Sequence, residues 1–176
     1  GYYRNVTKVV TAWKLKFSGS AGENVEEFLT RVEELNGINA LPDAELLRTM
    51  PILLTGSALN FFRVKGHTWK TWQHAMLALR ARYGDEMYAE KIMDEIRART
   101  QGKGEPALEY LTAMQLLYRK LPGETPELQK MNRMYRNMRK EYLTEMRQYL
   151  SGSLEDFISR AADLDKAIAL AKEYVE

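Results

Sequence analysis

His67 and His74 are the only histidines in the chain, and they stand seven residues apart. Zinc-binding histidine pairs on a helix sit four apart with a third ligand close by. There is no cysteine, which excludes disulfide frameworks, thiol nucleophiles and every Cys-based zinc site. No metal or other cofactor is expected. Ser18, Ser20, Ser57, Ser151 and Ser153 fall in turn or cap contexts without a nucleophile-elbow pattern. The strings GSAG and QGKG are turns, because no Gly-x-x-x-x-Gly-Lys-Ser/Thr phosphate loop occurs. The carboxylates fall on polar helix faces, where solvated charge is the ordinary explanation. No catalytic residue is assigned, and the chain is read as a non-enzyme.

Two stretches keep some chemical content. Residues 130–147, KMNRMYRNMRKEYLTEMR, carry six basic and two acidic residues with Tyr135 and Tyr142 interleaved. Arg133, Arg136, Arg139 and Lys140 are the candidates for phosphate contact. Against that, Met131, Met134, Met138 and Met146 recur at near-helical spacing, as in a buried stripe, and the net charge is only +2. The second stretch is QGKGEPALEY, residues 101–110. It reads as a helix–turn–helix joint. Gly102 can take positive φ and end the first helix. Glu105 precedes Pro106 and is placed to accept from the free N–H groups of the next helix. Tyr110, four residues beyond Pro106, can face the core. Gln101 can tie the loop to a neighbouring turn.

The elements that must position these residues are helical. WKLKF, residues 13–17, alternates apolar and basic and is the only strand-like stretch. After a loop, Val25, Phe28, Leu29, Val32 and Leu35 form a helical stripe, which Asn36-Gly37 should stop. Pro42-Asp43 opens a second helix that Pro51 should kink or end. Ala58, Leu59, Phe61 and Phe62 mark a third, closed by Gly66. Thr68 is the expected N-cap of a fourth, which carries Trp69, Trp72, Met76, Leu79 and Tyr83. Gly84-Asp85 is the expected boundary, with Asp85 capping the next helix. Tyr88, Ile92 and Ile96 line that helix, and Tyr110, Met114, Leu117, Tyr118 and Leu121 line the one beyond the QGKGEP turn. Thr125 as N-cap and Pro126 at the first position restart the chain as a helix to Met138. A further helix carries Tyr142, Leu143, Met146 and Leu150. Ser153 caps the last, which carries Phe157, Ile158, Ala161, Leu164, Ile168, Ala171 and Val175. The expectation is an all-α chain with about four helices before residue 84 and about five after it. It divides into an N-terminal arm and loop at 1–22, an N-terminal lobe at 23–84 and a C-terminal lobe at 85–176.

The string Gln101-Gly102-x-x-Glu105-Pro106-x-x-x-Tyr110 resembles the major homology region of retroviral capsid proteins. That region opens the capsid's C-terminal lobe, where it also falls here. The resemblance implies that Gln101 and Glu105 join a buried hydrogen-bond network that supports the lobe and assembly. The family's arginine, three residues after the tyrosine, is Ala113 here, so the network is expected to be incomplete or to be closed differently, with Arg119 and Lys120 as the candidates. A second set runs from Phe17-x-Gly19 through Leu54-Thr55-Gly56-Ser57-Ala58, Phe61-Phe62 and Thr68-Trp69 to Arg82-Tyr83-Gly84. It resembles the Gag capsid region of gypsy-type LTR retrotransposons and of Arc-like domesticated Gag proteins. The two sets together cover roughly residues 17–150.

The resemblance implies two small helical lobes that self-assemble into a virus-like shell in the cytoplasm. Such a shell encloses retroelement RNA through a zinc-knuckle segment further downstream. The chain is thus expected to be a piece of something longer and to partner chiefly with itself. Leu128, Met131, Met134 and Tyr135 are the candidate C-lobe pairing surface. The alternative is a domesticated adaptor that binds short peptides in an N-lobe groove around Phe61 and Phe62. There the Trp13, Leu15 and Phe17 arm could itself fill the groove. No apolar run approaches the roughly 20 residues that span a bilayer, and no membrane partner is expected.

Overall fold

The computed structural model describes residues 5–174. Val175 lies outside them. The chain forms two compact units, Gly1–Glu86 and Met87–Glu176. Every regular element among the described residues is helical.

The first unit opens with α1, Val6–Ala12, where an extended arm was expected. Asn5 caps it, its Oδ1 accepting from Lys8 N at 3.1 Å. The four-residue spacing of Val6 and Val10 buries both side chains. The valines and threonines favour strands only weakly, so a cap and an apolar face decide for helix. Lys14 then turns the chain at positive φ. Beyond it the alternation holds: Leu15 and Phe17 point inward while Lys14 and Lys16 stay exposed. The segment does not become a strand, because the backbone of Phe17 pairs only with the short stretch at residues 53–55. Phe17 and Leu54 form an isolated parallel bridge, with Phe17 N donating to Leu53 O and Thr55 N donating to Phe17 O.

Helix α2 spans Val25–Asn39 and is capped by Asn24, which accepts from Glu26 N at 2.8 Å. It runs past the expected stop at Gly37. The chain turns instead at Ala40 in the left-handed region, with the Asn36 side chain closing the turn on both N–H and C=O of Leu41. Helix α3, Asp43–Arg48, ends at Thr49. Pro51 falls in the first turn of α4, Met50–Leu53, where its missing N–H costs nothing. Helix α5 is Gly56–Lys65, followed by a 3₁₀ turn at Gly66–Thr68. Helix α6, Trp72–Tyr83, is capped by Thr71 and not by Thr68. Thr68 spends its hydroxyl on Lys65 O, and Trp69 is buried just outside the helix. Phe17 stacks on Phe28 at 5.1 Å and meets Tyr83 edge-on at 5.4 Å. These rings centre a core completed by Leu29, Val32, Leu46, Met50, Leu53 and Leu79.

The second unit holds α7 (Tyr88–Ala98), α8 (Ala107–Arg119), α9 (Glu127–Arg136), α10 (Lys140–Met146) and α11 (Leu154–Glu173). Helix α7 starts at Tyr88, three residues after Asp85, with Met87 in the cap position. Thr125 does not cap α9, because Pro126 itself holds the cap position. Ser153 does cap α11, accepting from Asp156 N, and Glu127 accepts from Leu154 N beside it. The core is Ile92, Ile96, Tyr110, Leu111, Met114, Met131, Met134, Met146 and Phe157. The methionine stripe is thus interior, where unbranched, flexible side chains fill the gaps between short helices.

Candidate functional site

The loop from α7 to α8 is built around Glu105. Its carboxylate accepts from Arg99 Nη1 at 3.0 Å and Nη2 at 2.6 Å, and from Gly102 N at 2.9 Å. Arg99, the residue that caps the C-terminal end of α7, reaches forward to a partner six residues on. Arg119 and Lys120, the candidates for closing an otherwise incomplete network, are exposed at the far end of α8. A bidentate guanidinium needs a carboxylate presented in its plane, and the hairpin-like loop supplies that locally. The hydrogen bonds from Arg99 hold the Glu105 carboxyl below the usual carboxylate range, against the opposing effect of burial. The same pair pushes Arg99 up.

Glu105 does not cap α8. Its turn directs the carboxylate backwards into the loop. The free N–H groups of Ala107 and Leu108 donate instead to Asp165 of α11, at 2.8 and 2.9 Å. Tyr142 OH donates to the same carboxylate at 2.5 Å. Burial, then the bond to Asp165, pushes the Tyr142 phenol up to about 12. Asp165 was not singled out from the sequence, where it is one carboxylate among many on α11.

Gln101 is buried and ties two turns together. Its Nε2 donates to Glu105 O at 2.8 Å, its Oε1 accepts from Arg139 N at 3.0 Å, and its N–H donates to Asn137 O at 2.9 Å. Asn137 in turn donates to Arg99 O at 2.8 Å, which closes the end of α7. Tyr110 is fully buried, donates its hydroxyl to Met134 O at 2.8 Å, and lies under the Arg99 guanidinium, 5.6 Å from the ring centre. Burial pushes its phenol far up. Gly102 contributes its N–H. The positive φ belongs to Gly104, at 76°. The arrangement clamps the C-terminal end of α7 and the N-terminal end of α8 to the α9–α10 turn. It offers no displaced proton, reactive nucleophile or ligand set, and among the described residues no three His, Asp or Glu side chains gather as a metal would need.

The other candidates separate. Met131 and Met134 are fully buried in the second unit's own core and cannot face another chain. Of that set only Leu128, 57% exposed, and half-buried Tyr135 reach the surface. Arg139 is committed to Glu141 and to Gly102 O, and Lys140 is exposed beside it. Arg133 and Arg136 line a cavity of about 470 Å³ together with Arg97. In the first unit Phe17 is core, while Trp13, Leu15, Phe61 and Phe62 are half-buried against it. Phe61 and Phe62 both pack on Trp69, at 5.7 Å. The arm therefore covers its own unit.

No protein-family model matches the chain. A curated relative, Activity-regulated cytoskeleton associated protein 2 of Drosophila melanogaster, is 22% identical over 154 residues. The match covers 86% of this chain and 80% of the relative. Among solved structures, the dArc2 capsid superposes with a TM-score of 0.66 at 22% identity, covering 87% of this chain and 94% of that one. The dArc1 capsid superposes at 0.57 with 18% identity, covering 87% and 93%. The chain has the Arc capsid fold. The all-α class and the Arc-like resemblance drawn from the residues thus meet a sequence relative and two solved capsids of that kind.

Proposed function

We propose that the chain is the capsid region of an Arc-like, Gag-derived protein and that its activity is self-association into a closed shell, not catalysis. One observation carries this reading: the likeness to two capsid structures runs through both helical units, over 87% of the chain. The Glu105 clamp supports it, since a lobe that is one unit of a repeated lattice needs a fixed surface. Shells work through many weak, repeated contacts, and closure multiplies small interfaces into a stable particle. RNA would be enclosed through a segment outside this chain, and assembly would take place in the cytoplasm.

Negative-stain electron microscopy and sedimentation of the concentrated protein, over a range of ionic strength, test the reading. Salt screens repulsion between like-charged copies. Closed shells or tubes are the expected result. A protein that stays monomeric throughout refutes self-assembly and turns attention to a peptide-binding adaptor. That adaptor would have to displace the Trp13 and Leu15 arm from the first unit's core.

A further inference from the structure

The α7–α9 cavity combines an apolar floor with a cationic rim. Met93, Tyr118 and Leu128 supply the floor, and Arg97, Arg133 and Arg136 the rim. Its volume of about 470 Å³ is that of a ligand-sized pocket. Arg97 has a loose, exposed partner in Asp94 at 3.3 Å. The ion pairs of the described residues engage neither Arg133 nor Arg136. An occupant should therefore present an apolar knob flanked by negative charge.

The chain carries such a knob. Ile38, at the end of α2, is 81% exposed. Glu34 lies one turn before it on the same face, exposed, with a long ion pair to Arg31 at 3.8 Å. Glu33 is exposed beside it. The last turn of α2 has no basic residue, and its carbonyls meet neutral donors, Asn39 Nδ2 on Leu35 O at 3.0 Å and Ala40 N on Asn36 O, so the end of this 15-residue helix keeps partial negative character. Three of the other exposed apolar side chains lack this character. Leu77, Leu116 and Leu170 each have a basic residue one turn away, namely Arg80, Arg119 and Lys166.

We propose that the cavity lined by Arg97, Arg133 and Arg136 in one copy receives the α2 C-terminal end of a second copy. Ile38 seats against Met93 and Leu128, with Glu34 towards the guanidinium groups. This inference rests on the self-assembly reading and names one of its contacts.

A charge swap in the full chain tests it by sedimentation velocity at moderate ionic strength. Arg133→Glu and Glu34→Lys should each raise the concentration needed for self-association at least tenfold. The double variant, in which Glu at 133 faces Lys at 34 of the next copy, should restore most of it. Ile38→Lys should weaken association like the single variants. Circular dichroism checks that helicity is kept, as these surface positions allow. Single variants that associate like the unmodified protein overturn the contact, and so do impaired variants that the swap fails to rescue. If Arg133→Glu instead abolishes binding of an oligouridylate probe and leaves self-association alone, the cavity is an RNA site and the proposal falls. Failure of the unmodified protein to associate is a separate result, and it refutes the assembly reading itself.

Discussion

Glu105→Gln keeps the shape of the side chain and removes its charge. In the structure that charge is shared by two Arg99 nitrogens and one backbone N–H. The amide retains one acceptor and turns a donor towards the guanidinium. Hydrogen bonds to charged groups contribute about 1.5–3 kcal/mol. Arg99 is 31% exposed, so the released guanidinium recovers some hydration and the lower part of that range applies. A loss of about 2 kcal/mol in a lobe of this size lowers its melting point by about 8–16 °C. The two units can be watched separately, because Trp13, Trp69 and Trp72 all lie in the first. Tryptophan fluorescence should melt unchanged, while part of the far-UV circular dichroism signal moves down. Acid gives an internal control. The folded carboxyl of Glu105 titrates below its unfolded value, so its contribution is present at neutral pH and disappears as pH falls through the folded value. The gap between wild type and Glu105→Gln should close below about pH 4, where unfolded carboxylates protonate. An unmoved melting curve, or a gap that persists in acid, would refute the charge as the source of stability.

Asp165→Ala removes the cap of α8 and orphans the Tyr142 hydroxyl, at a combined cost of about 2–3 kcal/mol in the second unit. Denaturation followed by circular dichroism measures this. Tyr110 and Tyr142 have phenols raised by burial, so their contribution is full below the unfolded value. It should fade as pH rises above about 10, seen as loss of stability in the second unit alongside absorbance of tyrosinate. Met131→Ala should cost about 2–5 kcal/mol, whereas Leu128→Ala should cost under about 0.5 kcal/mol. Equal effects on stability would contradict the assignment of Met131 to the core. At Gly19, φ is 79° and a Cβ would collide with the Tyr83 ring. Gly19→Ala should therefore destabilise the first unit by about 1–3 kcal/mol, read as an earlier tryptophan transition with the second unit unaffected.

Apolar periodicity was enough to group the helices and to place Phe28, Leu29 and Tyr110 inside, because a stripe records which face a helix must bury. It did not record what covers that face. Hence Met131 and Met134, on an evident stripe, could equally have met another chain until α8 and α11 were seen to close over them. The same limit explains the clamp. Glu105 and Gln101 stood out by their spacing around Pro106, yet their partners depend on how turns meet in space. Arg99 reaches Glu105 because the loop folds back, while Ala113 and Arg119 point elsewhere. Asp165 caps α8 from 58 residues away, a distance over which no local pattern carries information. Helix α1 was missed because its cap, Asn5, acts only once Val6 and Val10 have a core to enter. Local spacing thus sets which surfaces need burial and which groups need partners. The choice among the available partners is an energetic competition that folding resolves.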